Sequence, residues 1–197
     1  ELIDYLNELV AYLEANKIPW AHVYGNHDDM NEITKKEQSD IYRRYPHFVG
    51  LYNDVEILKD ETFNIPIYSE DGSEIKFNIW MMDSAWKDKE EDKCYNQVKP
   101  EAIEWYKKKR AELKAQNGGV PVPALMFQHI PLIEMLDLME ECSKDDEGAF
   151  EGPDGKFFKA KPCVDGEIGE YICTVSQGNG QVEAIKECGD IKAIVFG

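Results

Sequence analysis

Two apolar runs in the sequence each end at a histidine, and these histidines are the residues best suited to do chemistry. The first run begins at Trp20 and leads into Gly25-Asn26-His27-Asp28, and the second begins at Val122 and leads to His129. An imidazole can donate a proton near neutral pH or bind a metal, and an asparagine side-chain oxygen can also bind a metal. These residue types therefore point to proton transfer, metal binding or both.

The four residues from Gly25 to Asp28 have two interpretations. In the functional interpretation Gly25 permits an unusual backbone geometry, Asn26 binds a metal through its oxygen, and His27 donates a proton. In the alternative the stretch is an ordinary loop, in which Asn and Asp side chains form Asx turns and the histidine is only solvated. From these residues alone both interpretations stay open.

Two predicted strands must position these histidines. The apolar runs at 20–24 and 121–129 each indicate a strand, with Pro131 turning the chain after the second. In open α/β sheets, sites lie at the carboxyl edge of the strands. We therefore expect His27 and His129 to lie near each other at one edge of a sheet.

The remaining elements follow from periodicity and turn residues. Helices are predicted at 1–16, 31–44, 100–116, 132–142 and 182–186, and further strands at 45–52, 63–68, 75–82 and 191–196, the last with the pattern of a buried strand. Asp71-Gly72 indicates a hairpin. His22 and His47 are interpreted as packed strand histidines rather than ligands. Asp83 is interpreted as a turn cap, with a place at the edge of the site as the alternative. The chain is predicted to be one domain over residues 1–197, with an irregular insertion at about 144–180 that rims the site.

Composition narrows the function classes. The chain has 197 residues, 43% of them hydrophobic, which suits a globular domain with a sizeable core. The net charge of -17 argues against binding to a nucleic-acid backbone. A small phosphorylated substrate remains compatible, because bound metals can reverse the field inside an acidic site. No apolar run of about 18 residues indicates a membrane span; localisation and oligomeric state are not predicted.

The five cysteines do not form a zinc-ribbon pattern, since none belongs to a Cys-x-x-Cys pair. Four of them lie in the last third of the chain: Cys142, Cys163, Cys173 and Cys188. One or two disulfides there would suit an exported protein. Five reduced thiols is the interpretation that the sequence favours.

The two histidine motifs resemble those of the calcineurin-like metallophosphoesterase superfamily. Gly25-Asn26-His27-Asp28 matches its Gly-Asn-His-Asp/Glu box, and His129 matches the single-histidine box that follows. The stretch from Phe127 to Leu132 and the triplet Met82-Asp83-Ser84 are most similar to the branch containing Dcr2-type and purple-acid-phosphatase-29-like phosphoesterases. The resemblance implies an α/β (α+β) fold, a β-sandwich of two mixed sheets flanked by helices.

The resemblance also implies a function and a set of site residues. It implies hydrolysis of phosphomonoesters or phosphodiesters by a dinuclear centre of manganese, iron or zinc with a metal-bound hydroxide. Asn26 and His129 would bind metal, His27 would protonate the leaving oxygen, and Asp28 would orient His27. The substrate would be a phosphorylated small molecule or a phosphoprotein.

Only the middle of the superfamily pattern occurs in this chain. The Asp-x-His and Gly-Asp-x-x boxes do not occur before Gly25, and no Gly-His-x-His box follows, although Gly197 could be its glycine. We therefore expect an internal piece of a longer protein, inactive by itself. One alternative is a non-catalytic binding or scaffold protein on the same fold with a degenerate metal site. Another is an unrelated α/β domain whose strand-end histidines are accidental.

Overall fold

The computed structural model of the chain describes residues 2–28, 33–84, 97–174 and 177–197. Within these ranges the helices are α1 (Leu2–Ala15), α2 (Lys35–Tyr42), α3 (Pro100–Gln116) and α4 (Gln181–Cys188). The strands are β1 (Phe63–Tyr68), β2 (Ile75–Met81), β3 (Ala124–Phe127), β4 (Met139–Cys142), β5 (Phe150–Glu151), β6 (Phe157–Ala160) and β7 (Ile191–Val195). Most of residues 85–99, including the fifth cysteine, Cys94, lies outside the described residues.

The main sheet has four strands in the order β1-β2-β3-β7. Strands β1 and β2 form the predicted antiparallel hairpin, and Gly72 in its turn has a φ of 71°, a left-handed geometry that suits glycine. Strand β3 runs parallel to both β2 and β7. The sheet is therefore mixed, and its two parallel strand pairs need long crossover connections, which contain α3 and α4.

Helix α3 forms where the sequence predicts it, because its local signals are strong. Pro100 occupies the first turn, where its missing N–H costs nothing, and Gly118 and Gly119 follow the helix end with positive φ angles. Its predicted inward residues, Ile103 and Tyr106 among them, are buried. None of the helices in the described ranges combines the length and the apolar character that crossing a membrane requires.

The core lies between the main sheet and α3. The fully buried Trp80 of β2 packs edge-on against Trp105 and Tyr106, with ring centroids 5.6 and 5.0 Å away. The Asp190 carboxylate accepts hydrogen bonds from Trp80 Nε1 at 3.2 Å and from the Tyr106 hydroxyl at 2.5 Å. Buried polar groups need such partners, so this carboxylate joins β2, α3 and the start of β7.

A second, smaller sheet has three antiparallel strands in the order β4-β6-β5. It overturns the predicted helix at 132–142: a 3₁₀ helix spans Ile133–Leu138, and residues 139–142 pair with β6 instead. Strands β5 and β6 lie within the segment predicted to be irregular, while its role as an insertion at the site stays a prediction. Two sheets with flanking helices confirm the α+β class, one sheet being mixed and the other antiparallel.

Two predicted strands do not form ladders. Residues 20–24 and 45–52 meet only in a single parallel bridge between Trp20 and Phe48. Two backbone hydrogen bonds form this bridge, from the Trp20 N–H to the His47 carbonyl at 3.0 Å and from the Val49 N–H to the Trp20 carbonyl at 2.9 Å. The Trp20 ring also packs against Phe48, with ring centroids 4.8 Å apart. The predicted burial of the last strand is also wrong, since Val195 in β7 is 43% exposed.

The described cysteines are all unpaired thiols. They are Cys142, Cys163, Cys173 and Cys188. For these four residues the structure agrees with the favoured interpretation of reduced cysteines.

Candidate active site

The two predicted metal ligands lie in contact, although they are far apart in the sequence. Asn26 follows the extended segment that begins at Trp20, and His129 comes two residues after the end of β3. The Nε2 atom of His129 lies 3.0 Å from Oδ1 of Asn26. The geometry thus brings together the residues that the sequence analysis singled out.

Gly25 makes room for the His129 ring, whereas a Cβ on Gly197 would make an ordinary van der Waals contact with it. A Cβ built on Gly25 would lie 3.3 Å from Nε2 of His129, and one on Gly197 would lie 3.5 Å from Nδ1. Gly197 also donates its backbone N–H to the His129 carbonyl at 3.3 Å. A larger residue at position 25 would crowd the nitrogen that faces Asn26.

A chain of buried hydrogen bonds fixes the backbone on both sides of His129. Gln181 at the start of α4 donates to the Gln128 side-chain oxygen, and Gln128 Nε2 donates to the Ile130 carbonyl at 2.9 Å. The Ile130 N–H then donates to Ser84 Oγ at 2.8 Å. The sequence analysis missed these residues, and the only signal was a polar side chain, Gln128, directly after an apolar strand.

The turn from Gly25 to Asp28 is closed by its own residues. The Asp28 carboxylate accepts the Gly25 N–H at 2.6 Å, and the Asp28 N–H donates to the Gly25 carbonyl at 3.2 Å. The turn leaves His27 exposed to solvent. Asp28 therefore has a structural role in the turn, while its predicted role in orienting His27 stays a prediction.

The electrostatics favour a neutral His129. Burial lowers its pKa below the usual value, the Asp28 carboxylate opposes this shift, and His27 adds to it. A neutral imidazole keeps one nitrogen without a proton, and this is the form that binds metals.

His22 and His47 pack as predicted and do not join the site. The His22 ring lies 4.7 Å from the Tyr24 ring and 4.8 Å from the Tyr42 ring, and burial lowers its pKa. His47 Nδ1 contacts the Glu14 carboxylate at 2.8 Å.

Asp83 takes part in a buried ion pair, and its predicted role as a turn cap stays a prediction because the chain that follows Ser84 lies outside the described residues. It is buried and forms an ion pair with the equally buried Lys35 at 3.0 Å. Burial raises the pKa of Asp83 to about 6, Lys35 opposes this shift, and Glu61 adds to it. Because Lys99 contacts Glu61 at 2.8 Å, these four charges join α2, the start of β1, the end of β2 and the start of α3.

The donor atoms of Asn26 and His129 are of types that bind metals, and they lie 3.0 Å apart, at hydrogen-bond distance. Ligand atoms about 2.0–2.2 Å from a tetrahedral zinc ion are about 3.4 Å apart, so the two side chains would separate slightly to hold one ion. Because Gly25 has no side chain, the side of the His129 ring that faces Asn26 stays uncrowded. Within residues 2–28, 33–84, 97–174 and 177–197, however, no three or more His, Cys, Asp or Glu side chains could together hold a metal. Asn26 and His129 alone would thus supply only two ligands.

Curated relatives of this chain are phosphatase-like proteins. It is 24% identical to the "Probable inactive purple acid phosphatase 28" of Arabidopsis thaliana, over 91% of this chain and 48% of that protein. It is 22% identical to the "Probable inactive purple acid phosphatase 29" of the same plant, over 100% of this chain and 49% of that protein. It is 27% identical to the "Phosphatase DCR2" of Saccharomyces cerevisiae, over 68% of this chain and 24% of that protein.

The chain spans about half the length of the two plant relatives. No family model matches it. No solved structure matches it either.

Proposed function

Because this chain is related to the calcineurin-like metallophosphoesterases, as its sequence predicted, we propose that its protein is a metal-dependent phosphoesterase. The observation that carries the proposal is the 3.0 Å contact between Asn26 and His129. Two donor atoms of the types that bind Mn, Fe or Zn converge where the resemblance expects a metal. The relative named "Phosphatase DCR2" supports the same reaction class.

Four residues of the candidate site would have distinct roles in this reaction. Asn26 and His129 would hold one of two metal ions, and those ions would supply positive charge for the phosphoryl oxygens and acidify the attacking water. His27, exposed at the turn beside them, donates a proton to the leaving oxygen, which a general acid must do for a poor leaving group. Asp28 keeps the turn closed through the Gly25 N–H.

A substrate of this enzyme would be a phosphomonoester or phosphodiester on a small molecule or a protein. The net charge of -17 disfavours long phosphate backbones, which bind through many lysine and arginine contacts. A single phosphoryl group bound at a metal pair would not need such a basic surface.

A second candidate function is a non-catalytic binding protein on the same fold. The names of the two plant relatives, each "probable inactive", favour this candidate. It predicts that the full-length protein binds phosphorylated ligands or partners without turning them over. Phosphate release therefore separates the two candidates.

The deciding experiment measures phosphate release by the full-length protein from aryl and alkyl phosphates, after loading with Mn²⁺, Fe²⁺ or Zn²⁺. We expect metal-dependent turnover that falls on the order of 100-fold in His27→Ala with an alkyl ester. His47→Ala is the matched control, because the His47 side chain contacts Glu14 on α1. Turnover that is absent for every metal would leave the binding-protein candidate.

The 197-residue chain by itself should be inactive. Asn26 and His129 are two donors, and an ion held by only these would dissociate readily, since zinc sites commonly use three or four protein ligands. The test is phosphate release by the purified chain with each metal in excess. Metal-dependent turnover by this chain would refute the expectation.

A further inference from the structure

Gln38 on α2 is a buried amide that contacts the turn carrying His27. It is 1% exposed. Its Nε2 donates to the Asp28 carbonyl at 2.9 Å and also contacts the Ile33 carbonyl at 3.4 Å. An amide nitrogen carries two hydrogens, so one side chain can serve both carbonyls. Gln38 thus ties the backbone just after His27 to a helix.

Helix α2 is itself firmly held. Thr34 and Glu37 form a capping box at its start, which satisfies backbone N–H groups that a helix end leaves unpaired. Lys35 pairs with the buried Asp83 at 3.0 Å, and its carbonyl accepts the Tyr24 hydroxyl at 2.8 Å. The helix therefore contacts both the end of β2 and the segment leading into the turn. These contacts hold the backbone of Gln38 in place.

We propose that Gln38 is a positioning residue that holds the His27 turn in the geometry needed for proton donation. The inference rests on the proposed phosphoesterase function. His27 is exposed and precedes Asp28, whose carbonyl accepts the Gln38 hydrogen bond, so the path of the turn backbone sets where the His27 side chain begins. Misplacing a catalytic group by about 1 Å can lower a rate by about 100-fold, so one hydrogen bond to Asp28 can matter for catalysis.

The first test compares two esters in the full-length, metal-loaded protein. Gln38→Met keeps a similar shape without the donors. We expect it to lower kcat about 10-fold or more for an alkyl phosphate, which needs the acid, and far less for a 4-nitrophenyl phosphate, which does not. KM should stay unchanged for both. A general loss of structure would instead lower both rates equally.

Ser39→Ala is the matched control on the same helix. Ser39 is buried beside Gln38, and its hydroxyl accepts a hydrogen bond from Arg43 Nε at 3.2 Å, within the helical region. This variant should weaken α2 without touching the turn. It should leave the ratio of the two rates unchanged.

Two further measurements show whether Gln38 acts through the turn. In a His27→Ala background, Gln38→Met should lower kcat for the alkyl ester no further, since residues acting as one unit are not additive. Exchange of the Asp28 N–H, which donates to the Gly25 carbonyl, should be faster in Gln38→Met and normal in Ser39→Ala. This second readout does not depend on activity.

The outcomes separate the two proposals. Unchanged Asp28 exchange, equal losses on both esters, or a full additional loss in the His27→Ala background would overturn the role of Gln38 while wild-type turnover leaves the proposed function standing. No wild-type turnover on either ester would refute the proposed function and the catalytic role of Gln38 together.

Discussion

At the scale of single residues, the site depends on the absence of one side chain. A Cβ at position 25 would lie 3.3 Å from Nε2 of His129, closer than an ordinary van der Waals contact. The φ of Gly25 lies outside the left-handed region, so alanine there meets a contact problem without backbone strain. Position 25 therefore controls the distance between His129 and Asn26.

Gly25→Ala should weaken metal binding more than it weakens the fold. The new methyl group pushes the His129 ring away from Asn26, and we expect metal affinity to fall on the order of 10-fold, as for other changes beside metal ligands. Titration calorimetry of the full-length protein with Mn²⁺ or Zn²⁺ measures this. Gly169→Ala is the control, because a Cβ there meets nothing within 4 Å. Equal metal affinities in Gly25→Ala and Gly169→Ala would contradict this role of Gly25.

At the scale of elements, α2 is joined to the main sheet by a buried ion pair with a defined pH dependence. The Asp83 pKa rises from 3.8 to about 6 in the folded chain. Between these two values the folded state keeps a proton that the unfolded state has lost, so the contribution of Asp83 to stability falls as pH rises through this window. Above about pH 6 an ionised Asp83 needs the Lys35 charge beside it.

Lys35→Met should therefore destabilise the protein most at high pH. Removing one partner of a buried pair costs about 3–5 kcal/mol, and we expect this loss in the free energy of unfolding at pH 8. At pH 5 the loss should be much smaller, because Asp83 can stay protonated. Urea denaturation at both pH values measures the difference, and a loss that is the same at both would speak against the raised pKa.

Lys36→Met provides the control for that experiment. Lys36 is the next residue on α2 and pairs with Asp40 at 2.7 Å, but both side chains are exposed. Exposed pairs contribute about 0–1 kcal/mol. Its effect should be small at pH 5 and at pH 8.

How far the sequence predicts these elements depends on whether the signal is local. Helix α3 carries its own start and stop at Pro100 and Gly118, so its limits are predictable. The sequence predicts a helix at β4 because residues 139–142 follow the closely spaced apolar residues of 132–138. They form a strand only through pairing with β6, which comes after an intervening loop and β5. Whether such a segment forms a helix or a strand depends on pairing with residues elsewhere in the chain, and the spacing of apolar residues does not reveal that pairing.

The site shows the same division. Asn26 and His129 were predictable because residue type and position after an apolar run carry the signal. Gln38 was not, because in the sequence it is one polar residue in a polar helix, and its partners are backbone carbonyls that have no sequence identity. Residues that hold a site through main-chain atoms leave little trace in a single sequence.

At the scale of the whole molecule, the net charge of -17 should make the fold sensitive to salt. Like charges repel one another in the compact state, and salt screens them with a Debye length of about 10 Å at 0.1 M. We expect Tm to rise by several degrees between 0.02 and 0.5 M NaCl at pH 8. The rise should be smaller at pH 5, where carboxylates begin to take up protons. Calorimetry in NaCl checks this, and a Tm that falls with salt would count against it.

The parallel pairing of β3 with β7 also has a consequence for synthesis on the ribosome. Strand β3 emerges long before its partner, Ile191–Val195, and the chain grows at about 5–20 residues per second. During that interval the edge of β3 and the backbone around His129 lack two hydrogen bonds. These are the bonds that Val195 and Gly197 later form with Gln128 and His129. The nascent chain thus passes through a stage in which one edge of β3 is unpaired, and His129 acquires its final backbone contacts only after β7 has emerged.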